Sequence, residues 1–197
     1  MPDTAWPLIQ IDRVEPLLVR ADLEPGSQKA LTADMPPRVA VQALREKGLM
    51  LDAIRLLSQA LPARDAVWWA CRCLRALPAP KPGSSDARAL SLAEQWALEP
   101  TYERACEAYA VAQQIGFTTP YAWAATGPLW AGPNMNNNPD LPPVEPDPSL
   151  AGKAACGALC LGAVADDPPK SAERHAQFLD LGVAVATGAD SWKSHIG

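Results

Sequence analysis

From Pro37 onward the apolar positions of the chain recur every three or four residues, and the runs they form end at a glycine or a proline. Ala40, Ala43 and Leu44, with Lys47 on the same spacing, mark a first run that Gly48 stops; Ile54, Leu57 and Leu61 mark a second, LDAIRLLSQAL, closed by Pro62. That period predicts amphipathic helices. The connection between the two is so short that they must pack as neighbours. In the third run, ARDAVWWACRCLRAL, Val67, Cys71 and Leu74 form a stripe with Trp68 beside it, and Arg64, Arg72 and Arg75 share the opposite side.

After the loop PAPKPGSS, Asp86 is placed to cap a fourth helix whose buried face is Ala89, Ala93 and Trp96. The pair Glu99-Pro100 breaks it, since a residue before proline avoids helical angles, and Pro100 can open the next helix. There, Ala105, Ala108, Tyr109, Ala112 and Ile115 keep the helical period up to Gly116. Thr119-Pro120 starts a further helix, and Pro128, which lacks a donor and crowds the carbonyl of Ala124, is expected to kink or end it near Gly127. Residues 131–148, rich in Pro and Asn, read as an extended loop. Ser149 then caps a small-residue helix, Lys153 to Ala165, in which Gly157 and Gly162 would admit a close neighbour. The last helix opens at Pro168 under Asp167, with Ala172, Ala176, Leu179, Val183 and Ala186 as its stripe and Gly188 as its end.

The expected architecture is therefore all-α: one domain of about seven helices in antiparallel pairs over residues 36–190, with a Pro/Asn-rich loop at 131–148. An irregular arm, residues 1–35, precedes it, and a flexible tail, 191–197, follows. Trp69, Trp96 and Trp123 are equally spaced, but the intervals between them hold different elements, so they do not mark a structural repeat.

Composition narrows the function classes. Alanine and leucine dominate a chain that is 48% hydrophobic, and a length of 197 residues is enough for a core that needs no metal or disulfide. The formal charge is -5 with the basic residues dispersed, which is not the pattern of a nucleic-acid binder. The longest apolar segment, from Ala154, is too short to span a bilayer, and no apolar run follows a basic stretch at the start, so a cytoplasmic protein is expected. Five cysteines, all in helical surroundings, read as reduced, buried thiols.

Catalytic signatures are missing from the sequence: it has no nucleophile elbow, phosphate loop, dinucleotide fingerprint or H-E-x-x-H. His175 sits where a solvated side chain is expected, and His195 in the tail. Cys71 and Cys73 diverge by about 200° on a helix. Cys156 and Cys160 share a face, but no His or carboxylate at helical spacing completes a tetrahedral site. No catalytic residue, cofactor or metal is expected. What remains is a recognition patch: a tryptophan beside a loop of amide donors and acceptors, namely Trp123, Trp130, Asn134, Asn136 and Asn137. The kink at Gly127-Pro128 is expected to send the two tryptophans in different directions. The competing reading is that the loop only spans the distance to the next helix.

The run AVWWACRCL, the AWAA helix leading into GPLWAGPN, and the proline spacer before a small-residue helix resemble a family of small bacterial proteins encoded near type VI secretion genes. The resemblance covers roughly residues 36–190. It implies an accessory or adaptor protein that binds a spike component or an effector. An immunity protein that occludes a toxin is the alternative, and a hydrolase or transferase with a carboxylate site a further one.

Overall fold

The computed structural model describes residues 5–138 and 140–196. Among these there is no strand, and ten helices account for the fold: α1 (Glu15–Arg20), α2 (Pro25–Gln28), α3 (Pro37–Glu46), α4 (Met50–Ala60), α5 (Ala63–Arg75), α6 (Ser85–Leu98), α7 (Tyr102–Ile115), α8 (Pro120–Ala131), α9 (Leu150–Val164) and α10 (Ser171–Ala186). Short 3-10 turns at Pro168–Lys170 and Trp192–His195 complete it. The all-α architecture is the expected one, and the helix count exceeds seven partly because the arm contributes two short helices.

The centre is α5, packed by α6, α8, α9 and α10. Its sequence explains why: every residue from Asp65 to Leu74 except Arg72 is buried, so the expected single stripe is too narrow. Trp69 is fully enclosed and its indole N–H donates to the Phe178 carbonyl at 2.7 Å. Gly182 of α10 makes room, since a Cβ there would lie 2.6 Å from the Trp69 ring. The three arginines expected to share the opposite side are each engaged separately. Arg64 donates to the Ala97 and Leu98 carbonyls at the end of α6, Arg72 pairs with Asp190, and Arg75 with Glu94.

Several expected boundaries move for local reasons. Ser84 rather than Asp86 caps α6, and Asp86 instead accepts a 2.7 Å bond from the Thr119 hydroxyl. Thr101 caps α7, leaving Pro100 outside it. Helix α9 begins at Leu150, and the Ser149 hydroxyl donates to Asp147 instead of capping. Asp167 makes no side-chain cap but pairs with Lys170 across the first 3-10 turn. The buried side of α10 is Arg174, Phe178, Leu179, Gly182, Val185 and Ala186, a stripe turned from the expected one so that Ala172 faces solvent.

The largest departure is α8, which stays helical through Pro128 to Ala131. A proline inside a helix costs about 3 kcal/mol. The rest of α8 outweighs that, because it packs against α5, α6, α7 and α9 and buries Ala122 and every residue from Ala124 to Leu129. Gly127 is part of that fit: a Cβ there would stand 2.7 Å from a Val67 methyl.

Among the described residues, neither the arm nor the tail stands away from the helices. In the arm, Val14, Leu17, Ala21, Leu23 and Leu31 are buried, and α1 packs on α4. The tail, expected to be flexible, docks through Trp192, whose indole N–H donates to Asp65 at 2.9 Å beneath the Arg64 guanidinium, 3.2 Å from the ring centroid.

Candidate functional site

Because α8 does not break, Trp123 and Trp130, two turns apart, fall on the same face. They extend a row of half-buried aromatics that starts at Tyr109 of α7. The centroid steps are 5.8 Å from Tyr109 to Phe117, 6.5 Å to Trp123 and 6.1 Å to Trp130, and the last pair meets edge to face at 76°. Phe117 sits in the left-handed region at φ 58°, a costly place for a bulky residue. It is held there by ring contacts on both sides and by the Trp123 indole N–H, which donates to its carbonyl at 3.0 Å. The other face of Trp123 rests on Gly157 of α9, where a Cβ would come within 3.0 Å of the ring. Gly157 thus provides the close approach that the sequence suggests.

The asparagines expected as contact groups make bonds of their own within the protein, Asn134 and Asn136 half-buried and Asn137 exposed. Asn134, Asn136 and Asn138 stand at alternate positions, and each side-chain oxygen accepts the backbone N–H two residues on: Asn136 at 3.0 Å, Asn138 at 3.2 Å and Asp140 at 3.0 Å. These are successive Asx turns. Asn134 also accepts the Val144 N–H at 2.8 Å from the returning limb of the loop, beside a Met135-to-Val144 backbone bond. The Asn136 amide donates to the Pro142 carbonyl, the Asn136 carbonyl accepts from the Tyr102 hydroxyl, and Asn137 donates to Gln113 of α7. The loop is cross-braced. What it turns outward is apolar: Leu141 at 52% and Val144 at 50% exposure, with Pro142 and Pro143 between them and Asp140, Glu145 and Asp147 around them. The N-x-N-x-N spacing carried the bracing in the sequence, since a run of successive Asx turns needs an Asn or Asp at every second position.

A second feature lies where α1, α4 and α9 meet, a cleft of about 200 Å³ lined by Arg20, Asp22, Arg55, Lys153, Cys156 and Cys160, among others. The two sulfurs are 3.8 Å apart. A hydrogen bond from Cys156 and the positive charge of Arg55 draw the Cys160 thiol down to about 7 against the effect of burial. Cys156 is pushed well above the usual thiol range by that same contact and by burial. Arg55 is fixed by Asp52 at 3.0 Å and by the Asp22 carbonyl at 3.2 Å. Cys71 and Cys73 are buried as expected, whereas Cys106, Cys156 and Cys160 are only partly so. The shared face of Cys156 and Cys160 is legible at i, i+4 spacing. The cation that faces it comes from a different helix, beyond the reach of local pattern.

Burial raises the pKa of Asp65, partly offset by the Trp192 indole. His175 is half-buried rather than solvated, its Nε2 enclosed with no hydrogen-bond partner, and burial lowers its pKa. His195 lies against the Trp68 ring, centroids 4.9 Å apart.

Residues 40–186, from within α3 to the end of α10, match the model of a family described as a family of unknown function (DUF6931). No curated protein matches the chain. No solved structure matches it either.

Proposed function

The chain belongs to the DUF6931 family of unknown function, and we propose that it acts by holding another protein rather than by chemistry of its own. One observation carries the reading. The 134–144 loop is tied across its width by Asn134, yet Leu141 and Val144 stay half exposed at its edge. A loop whose backbone is already ordered gives up little conformational entropy when a partner covers it, which is the advantage of preorganisation. The acidic groups around it, Asp140, Glu145 and Asp147, suit an apolar groove rimmed by Lys or Arg.

The resemblance to proteins encoded beside type VI secretion genes makes a spike component or an effector the first partner to test, with the chain as accessory or adaptor. An immunity protein would present the same acidic rim to a toxin. Affinity purification from the native host of the tagged chain and of a Leu141→Ser, Val144→Ser variant separates these. The adaptor reading expects a spike component or effector on the unaltered chain and at least a roughly tenfold loss on the variant. A single toxin retained instead would favour the immunity role. Equal retention by both chains would make the loop a scaffold.

A further inference from the structure

We infer that Cys156 and Cys160 form a two-coordinate site for a soft monovalent metal ion, Cu(I), held between two thiolates on one face of α9. The site is separate from the loop and does not rest on its docking role.

The pair cannot close on itself. Residues four apart on a helix hold their Cβ atoms about 5–6 Å apart, whereas a disulfide draws them to about 3.8 Å. While α9 stays intact, the two side chains therefore remain thiols, aligned on one face with their sulfurs 3.8 Å apart. An ion between them asks for more room, not less: metal–thiolate bonds of about 2.3 Å set in line put the sulfurs about 4.6 Å apart. That opening needs only small rotations of the side chains and leaves the helix backbone alone.

The number of donors selects the ion. Among the described residues no third His, Cys, Asp or Glu joins the pair to make a group that could hold a metal. Zn²⁺ in a closed site takes four ligands, so two sulfurs hold it poorly. Thiolates favour Cu(I), and a filled d shell with a single positive charge is satisfied by two of them in line. Charge does not decide the matter, because Arg20, Arg55 and Lys153 in the same cleft are matched by Asp22, Glu24, Asp52 and Asp147. Access is open, since both cysteines line the cleft of about 200 Å³ and neither is fully buried. The other three thiols offer no rival pair: Cys71 and Cys73 are enclosed in α5 and diverge around it, and Cys106 stands by itself on α7. Binding one ion exchanges two thiol protons, released to solvent, for two copper–sulfur bonds, with no change of oxidation state.

The test titrates the reduced full chain, without oxygen, against Cu(I) held by bicinchoninate, whose colour reports the copper it keeps. One equivalent per chain should be withdrawn. Cys156→Ser and Cys160→Ser should each abolish the withdrawal, and Cys106→Ser should leave it intact. X-ray absorption at the copper edge of the loaded, unaltered chain gives a reading that no variant's folding can disturb: it should find two sulfurs at about 2.3 Å and no third. Zn²⁺ offered together with the chelator pyridylazoresorcinol should stay with the chelator. No copper withdrawn by the unaltered chain, equal withdrawal by the Cys156→Ser chain, a shell of three sulfurs, one ion bridging two chains, or Zn²⁺ taken as readily as Cu(I) would overturn the assignment.

Discussion

Trp123 and Trp130 meet edge to face, 6.1 Å between centroids, on a helix that carries a proline between them. The pair exists only because α8 stays helical through Pro128, so it reports on that continuity directly. A double-mutant cycle with Trp123→Phe and Trp130→Ala should show a coupling of about 0.5–1.5 kcal/mol in urea unfolding. No coupling would mean that the two turns of α8 move independently. Trp123→Ala should cost considerably more than Trp130→Ala, about 3–5 kcal/mol, because Trp123 also supports Phe117 and fills the space over Gly157.

Asn134→Ala removes the acceptor shared by the Asn136 and Val144 N–H groups. Both lie near the surface, so water can replace the lost bonds, and the global cost should stay near 1 kcal/mol. The local effect is the larger one. Hydrogen exchange at the Val144 amide should accelerate at least tenfold while the amides of α5 are unchanged. Acceleration across the whole chain would instead show that the loop braces the fold.

The contrast between α7 and α8 shows how far local pattern reaches. In α7 the apolar period and the stop at the left-handed Gly116 match the structure, and only the start moves, from Pro100 to the Thr101 cap. In α8 the local signal, Pro128, is correct about its own cost and is outvoted by burial against four neighbours, which no window of sequence contains. The turned stripe of α10 has a similar origin: Arg174 points inward to serve α9, and Gly182 lies under Trp69 of α5. At the candidate site the composition was legible but the direction of the side chains was not. The asparagines brace the loop from within, and Arg55 reaches Cys160 from another helix.

Arg174 is buried and its Nη1 donates to the carbonyls of Gly162, Ala163 and Ala165, the orphan acceptors at the end of α9. A positive charge there also complements the helix dipole. Arg174→Met keeps the side-chain volume but leaves those carbonyls unserved, and should cost about 2–4 kcal/mol in denaturant unfolding. Arg174→Lys, which cannot reach all three at once, should recover only part of the loss.

Gly152 lies against α4 more tightly than any side chain allows, with a Cβ placed 2.5 Å from the Ser58 carbonyl oxygen and 2.6 Å from the Gln59 amide nitrogen. Backbone cannot swing aside as a side chain can. Gly152→Ala should therefore lower stability by about 1–3 kcal/mol, despite the better helix propensity of alanine. The same change at Gly26, which has nothing within 4 Å, should be close to neutral. Calorimetric melting of the two variants side by side separates overpacking from a general effect of replacing glycine.

His175 gives the fold an acid sensitivity whose sign is fixed by its surroundings. Burial alone lowers its pKa from the ordinary 6.5, and its Nε2 is enclosed without an acceptor, so the folded chain favours the neutral ring. The unfolded chain takes up the proton first as pH falls. The contribution of this residue is fully present above pH 6.5 and is lost as pH falls through the depressed folded value. Melting temperature should consequently begin to drop as pH falls through about 6.5, above the usual carboxylate titrations. His175→Gln, neutral throughout, should flatten that part of the profile, even if it lowers stability at every pH. An unchanged slope in the variant would place the acid sensitivity elsewhere, with Asp65 an unsuitable substitute. Its raised pKa acts in the opposite sense, adding stability at low pH that is lost as pH rises through the folded value.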